Sequence, residues 1–298
     1  MCGIVGLFLK DKTMQPQLGA LLSEMLVLLT DRGPDSAGIA IYGAGDVGRS
    51  KITIQSAHPE RDFGSLASEL GGRLGTEASL IARSTHAVIE VPTARVDEAR
   101  AAILSLRPDA RIMGVGEVIE IYKEVGLPDT VVERFGLTAM SGTHGIGHTR
   151  MATESAVTTM GAHPFSTGPD ECLVHNGSLS NHNNVRRELK RDGMTFETEN
   201  DTEVAAAYIS NRMAHGQNLG EALESSLTDL DGFFTFVVGT RNGFGVVRDP
   251  IACKPAVMAE TDRYVAFGSE YRALANLPGI EDAKVWEPEP AKVYFWEH

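Results

Sequence analysis

The order of apolar and polar positions predicts a layered protein of mixed strands and helices. Behind Met1-Cys2, the residues 3–9 form an almost unbroken apolar run of strand length, as expected for a strand buried on both faces. Over 15–30, Leu18, Leu21, Leu22, Met25, Leu26 and Leu29 recur at helical spacing, which predicts an amphipathic helix. That pattern runs into Thr30-Asp31-Arg32-Gly33-Pro34-Asp35-Ser36-Ala37-Gly38, a stretch with the chemistry of turns, and 39–42 reads as strand again. From Gly43 the texture changes. Residues 85–91 and 110–115 read as strands, and 96–106 as a helix with Asp97 and Glu98 in its first turn, where they suit the helix dipole. This unit predicts a small α+β insertion over 43–142, read as a docking or packing module. Further on, helices are predicted at 183–191, 203–214 and 219–229. Strands are predicted at 232–239, 244–248, 256–259, 264–267 and 291–296. Strands and helices grouped in blocks point to an α+β layered domain instead of an alternating parallel sheet.

Composition narrows the class. With 298 residues, 42 % of them hydrophobic, the chain can build a large core, and a formal net charge of −13 argues against nucleic acid or an anionic membrane as the main partner. The apolar stretch 18–29 contains Ser23 and Glu24 and is too short to span a bilayer, and the opening residues read as strand, not leader. Three cysteines, Cys2, Cys172 and Cys253, give no disulfide framework and suit a reducing cytoplasm. His144 and His148 are four apart, but Gly142, Gly145 and Gly147 argue against a helix that would bring them together, so no metal site is expected. Gly114-Val115-Gly116 lacks the rest of a phosphate-binding fingerprint.

The candidate chemistry starts at Cys2. Removal of Met1 would leave one residue with both a thiol and a free α-amine, of ordinary pKa about 8.5 and about 7.7–8.0. A nucleophile served by an N-terminal amine is a known activation scheme. The apolar run behind it would pin the terminus in a sheet. Asn176-Gly177 follows a strand-like run; it is either an oxyanion hole, with Gly permitting close approach, or a hairpin turn. Arg150 either clamps a carboxylate bidentately or makes a surface ion pair. Asp201 either accepts from an ammonium group or caps the helix that follows it.

Together, Cys2-Gly3-Ile4, Arg32-Gly33-Pro34-Asp35-Ser36, His148-Thr149-Arg150, His175-Asn176-Gly177, Asn200-Asp201-Thr202-Glu203 and Leu230-Asp231-Gly232 resemble the motifs of class II glutamine amidotransferases, N-terminal-nucleophile enzymes that release ammonia from glutamine. The resemblance covers 1–42 and 143–298. It implies a four-layer αββα sandwich, with the 43–142 insertion added. It implies Cys2 as nucleophile with its own amine as base, Asn176 and Gly177 as oxyanion hole, Arg150 and Thr153 on the α-carboxylate of glutamine, and Asp201 on its α-ammonium. Arg32 would be structural. Glu154 stands where several relatives place His. A retained Met1 would block the amine.

Relatives usually carry this domain fused to a synthase, and none of the synthase motifs is present here, so ammonia is expected to pass to a separate partner subunit. The wording of 150–155 and the long insertion are similar to the small subunit of split, glutamate-synthase-related enzymes, above all the amidotransferase-like subunit of N-methylglutamate synthase (methylamine–glutamate N-methyltransferase). That resemblance implies no cofactor in this chain, FMN and iron–sulfur groups belonging to the partner subunits, and glutamine or glutamate as small-molecule substrate. A different class also stays open, a glutamine-binding regulatory or scaffold subunit with an idle nucleophile.

Overall fold

The computed structural model describes residues 2–152 and 156–298. The first part of the chain forms β1 (Gly3–Leu9), α1 (Leu18–Val27) and β2 (Ser36–Tyr42). There follow β3 (Arg49–Gln55), α2 (Pro59–Phe63), α3 (Leu66–Leu74), β4 (Ser79–Arg83), β5 (His86–Pro92), α4 (Val96–Leu106), β6 (Arg111–Gly116), β7 (Ile119–Val125) and α5 (Pro128–Phe135). The remainder gives β8 (His144–Arg150), β9 (Phe165–Gly168), β10 (Glu171–Leu179), α6 (His182–Arg191), α7 (Asp201–Ala214) and α8 (Leu219–Asp229). Last come β11 (Gly232–Gly239), β12 (Gly243–Arg248), β13 (Val257–Glu260), β14 (Tyr264–Gly268), β15 (Lys284–Trp286) and β16 (Val293–Glu297).

Two antiparallel sheets face each other, one in the order β15-β13-β14-β1-β8-β2-β7 and one in the order β16-β12-β11-β10-β9. Three cores make four layers of them. Val5, Leu7 and Leu9 of β1 pack against Leu18, Leu22 and Leu26 of α1. Ile4 and Phe8, on the other face of the same strand, pack against Val174, Val237 and Phe244 of the second sheet. The outer face of that sheet, with Leu173, Phe234 and Phe236, is covered by Val204, Tyr208, Ala222 and Leu223 of α7 and α8. A strand with a core on each side has no solvent face, which is why 3–9 reads as continuous rather than alternating. The α+β, αββα sandwich expected from the sequence is the fold of the chain.

Local departures have local causes. Pro16 lacks an N–H, so the start of the 15–30 pattern is a 3-10 turn, Lys12–Gln17, and α1 begins only at Leu18. Asn200 caps α7 by accepting from Thr202 N, so that helix starts at Asp201, two residues before the periodic pattern.

The 43–142 stretch divides. Strands β3–β6 form their own four-stranded sheet, β4-β5-β3-β6, whose Ile52, Ile89 and Val91 pack with Leu66, Leu70, Ala99 and Ile103 of α3 and α4. Strand β7, by contrast, pairs with β2 and closes the edge of the seven-stranded sheet. Val131, Val132 and Phe135 of α5 join the core under α1.

The contact between α1 and the 137–140 turn depends on a missing side chain. A Cβ on Gly19 would lie 2.1 Å from Leu137 O and 2.6 Å from Met140 O, both backbone atoms with little freedom to move. Gly19→Ala should lower unfolding stability by about 1–3 kcal/mol, the range for overpacking. Chemical denaturation measures it, and an unchanged midpoint would contradict this packing.

Candidate active site

Strand pairing puts Cys2 in place. Gly3 pairs with Thr149 of β8, so Cys2 stands beside Arg150, the last residue of that strand. Side chains alternate along a strand. Ile4 faces the second sheet, so Cys2, two residues earlier, faces it too. On β8, Thr149 turns the other way, its hydroxyl donating to Leu29 O, while His148 reaches across to His175 O of the second sheet at 3.1 Å. Arg150 shares the face of His148 by the same alternation.

The Cys2 carbonyl oxygen collects two donors. Arg32 Nε lies 2.9 Å away and Asn176 Nδ2 3.2 Å away, the first from the loop after α1 and the second from β10. Arg32 is itself held by an ion pair with Glu270, at 2.5 Å. The Cys2 thiol is half-buried, and Sγ lies 3.9 Å from Met151 O. Ile4 N donates to Ser269 Oγ at 2.9 Å, which fixes the strand two residues behind the thiol.

Asn176 and Gly177 lie inside β10, paired with Thr235 and Phe234 of β11, so the dipeptide is strand and not a hairpin turn. Gly177 has φ of +149°, a conformation that L side chains rarely adopt. A Cβ there would meet Phe233 O at 2.0 Å. Asn176 is buried, and its amide nitrogen carries two hydrogens. One serves the Cys2 carbonyl, which leaves one for an oxygen in the space before the thiol.

Arg150 is buried, and its Nη1 lies 3.3 Å from Ala156 O. The backbone around it is anchored by Asp35, whose N donates to Arg150 O at 3.1 Å and whose carboxylate accepts from Ala152 N at 2.8 Å. Asp201 is the first residue of α7, not its cap. Its Oδ2 accepts from Leu179 N at 2.9 Å, which ties the helix to β10 two residues past Gly177, and Oδ1 lies 3.8 Å from His175 Nδ1. Its side chain keeps 23 % of its surface exposed, so the carboxylate can accept further donors. Met1, Thr153 and Glu154 lie outside the described residues. The fold therefore brings Cys2 and Asn176 into one hydrogen-bonded group, places Arg150 on the strand beside Cys2, sets Gly177 in the facing β10, and ties Asp201, at the head of α7, to the end of that strand. Arg32, Asp35 and Ser269 complete the frame. Arg32 and Asp35 stood inside a quoted motif, whereas nothing local marks Ser269.

Under the site sits a chain of buried imidazoles. The rings of His148 and His163 lie 4.0 Å apart at a tilt of 36°, and His175 Nδ1 is 3.1 Å from Thr202 Oγ1. Burial pushes His148 down to about 3. It pushes His175 down to about 4 against the opposing pull of Asp201. His86 and His144, buried elsewhere, are also pushed down to about 3 by desolvation. Among the described residues, no group of three or more His, Cys, Asp or Glu is placed to hold a metal ion, and no helix is long and apolar enough to cross a membrane.

Comparison with known proteins gives consistent matches. A family model described as a glutamine amidotransferase domain matches residues 148–276. The glutamine amidotransferase-like protein GlxB of Rhizobium meliloti (strain 1021) is 69 % identical over 298 residues, which cover 100 % of this chain and 99 % of that protein. A relative from Methanothermobacter thermautotrophicus is 34 % identical across 99 % of both chains. Among solved structures, the glutamine phosphoribosylpyrophosphate amidotransferase of B. subtilis superposes with a TM-score of 0.63 at 19 % identity, a likeness of fold. It matches 99 % of this chain, which spans 47 % of that longer one.

The neutral histidines set an acid limit. Each has a folded pKa below its unfolded value near 6.5, so its contribution is complete above about pH 6.5 and is lost as pH falls toward the folded values. Unfolding at pH 5.5 should take up about three protons or more, after allowing for raised carboxyls such as Glu171 and Glu197 that release theirs. Calorimetry in buffers of different ionisation enthalpy measures this. Uptake below about one proton would contradict neutral burial.

Proposed function

Because the chain belongs to the class II glutamine amidotransferase family, we propose that it hydrolyses the side-chain amide of glutamine through Cys2 and hands the ammonia to a separate synthase subunit. The observation that carries this reading is the meeting of the two sheets at Cys2, where Asn176 from one sheet bonds the carbonyl of the residue that bears the thiol on the other.

The reaction proceeds in two steps. With Met1 removed, the α-amine of Cys2 takes the thiol proton and the thiolate attacks the glutamine amide carbon. The oxygen of the tetrahedral intermediate receives the second Asn176 amide hydrogen and the Gly177 N–H. The amine returns the proton to the departing nitrogen, ammonia leaves, and a γ-glutamyl thioester remains on Sγ. Water then attacks the thioester, which frees glutamate and restores the thiol. Arg150 and Thr153 hold the α-carboxylate and Asp201 the α-ammonium, so both ends of the amino acid fix the reacting carbonyl against the sulfur. The remaining acceptor capacity of Asp201 beyond the Leu179 N–H suits that role.

The partner in this reading is a glutamate-synthase-like subunit that carries FMN and, in some assemblies, iron–sulfur clusters, while this chain needs no cofactor for amide hydrolysis. The acceptor is 2-oxoglutarate or, in the narrower version, the methylamine chemistry of N-methylglutamate synthase. A cytoplasmic location fits the free thiol.

Cys2→Ala should abolish release of ammonia from glutamine while circular dichroism and melting temperature stay as in the wild type. Asn176→Ala should lower kcat by ~10²–10³, the usual loss for one oxyanion donor. Glutaminase activity retained by the alanine variant at Cys2 would refute the assignment.

A further inference from the structure

A carboxylate at the head of a helix is only as well placed as the loop that delivers it. Residues 192–200, between α6 and Asp201, form neither helix nor strand. Two charged side chains bind this loop through its backbone.

Arg186 of α6 is buried, with 5 % of its surface exposed. It donates through Nη1 to Thr198 O and through Nη2 to Asn200 O, the second at 3.2 Å. The centre of the Phe196 ring lies 5.1 Å from its guanidinium carbon, and the Glu199 carboxylate stands 3.6 Å from Nη1. From α7, Glu203 accepts from the N–H groups of Glu197 and Thr198 at 2.7 and 2.8 Å, and from the Thr198 hydroxyl at 2.6 Å. Thr198 Oγ1 in turn accepts from Asn200 N at 3.1 Å. Two carbonyls of the loop therefore go to Arg186 and two N–H groups to Glu203.

Asn200 is the junction. Its carbonyl goes to Arg186, its side chain caps α7 through Thr202 N, and Asp201 follows directly. The start of α6 is tied to the same strand end as Asp201. His182 Nδ1 lies 2.6 Å from Leu179 O, and Asp201 Oδ2 accepts from Leu179 N. Arg186, one turn on from His182, thus closes a ring of contacts from β10 through α6 and Asn200 to Asp201 and back to β10.

We propose that Arg186 is a positioning residue for substrate selection. By holding Thr198 O and Asn200 O, it sets the Asp201 carboxylate where the α-ammonium of glutamine meets it, and so governs how well the site tells glutamine from an amide without an α-amine. The proposal rests on the glutaminase reading, in which Asp201 receives that ammonium. An arginine fork bonds two acceptors at a fixed spacing and keeps its charge at any working pH. Without it, two carbonyls of the loop lose their donor and the head of α7 is free to shift, and a misplacement of about 1 Å can cost about 10²-fold in rate. A purely structural arginine would depress activity toward every substrate alike. A positioning one affects only substrates that carry the group Asp201 holds.

Steady-state hydrolysis of glutamine and of 4-carbamoylbutanoate, the same amide without the α-amine, tests this. The wild type should prefer glutamine in kcat/KM by about tenfold or more, the scale of a charge-assisted hydrogen bond. Arg186→Gln should remove most of that preference through a higher KM for glutamine, with kcat, and activity on 4-carbamoylbutanoate, within about threefold of the wild type. Arg186→Lys, which keeps the charge without the fork, should fall between. Asp201→Asn should abolish the preference, and adding Arg186→Gln to it should change the preference no further. Equal losses on both compounds in the Arg186 variants, or an unchanged preference, would overturn the proposal. No glutamine hydrolysis by the wild type would overturn the glutaminase reading and this proposal with it. Hydrolysis whose preference depends on Asp201 but not on Arg186 would overturn this proposal alone.

Discussion

The carbonyl oxygen of Cys2 is the joint between the two halves of the sandwich. Arg32 reaches it from the helix side of the first sheet and Asn176 from the second. A hydrogen bond from a charged group contributes about 1.5–3 kcal/mol, against about 1–2 kcal/mol to order one residue's backbone. Two donors on one terminal carbonyl can therefore hold a chain end that would otherwise fray. The Arg32–Glu270 ion pair prevents the arginine from swinging away. For the terminal nucleophile proposed at Cys2 this would be the central constraint, because a thiol on a loose end loses most of the advantage of being near its substrate.

The rest of the architecture follows from making that end rigid. β1 is bracketed by β8 and β14 and buried on both faces, so its position is set by two strand pairings and two cores. β10 is held in the facing sheet by β11 and β9, and α7 is fastened to it through Asp201. The His148–His175 contact crosses the gap between the sheets without introducing charge, since burial keeps both rings neutral. Neutral imidazoles stiffen the floor of the site at the expense of acid stability.

Much of the layering was legible in the sequence because it is local. The continuous run of β1, the leucine spacing of α1 and the block order of strands and helices are all properties of neighbouring residues. The sheet that a strand joins is not. Ile119–Val125 has the same texture as the strands of the module, yet it pairs with β2, because Tyr122 fits the core around α1 and Phe135. At the site, residue type and immediate context single out Cys2, Asn176 and Asp201. Their partners are distant in the chain. Asn176 meets Cys2 across 174 positions and Ala152 meets Asp35 across 117, and no periodicity spans such distances. The capping choice at α7 shows the same limit in small, since Asn200 and Asp201 are both good caps and only the geometry of Leu179 decides between them.

The account stands on a free Cys2 amine and thiol facing a pocket shaped for glutamine. The most direct measurement is intact-mass and peptide mapping after exposure to an electrophilic glutamine analogue carrying a diazoketone in place of the amide. The account predicts a chain beginning at Cys2 that gains one adduct, on the Cys2 sulfur, with the exposed Cys253 unmodified and the adduct suppressed by excess glutamine. Retention of Met1 or an adduct found only on Cys253 would contradict it.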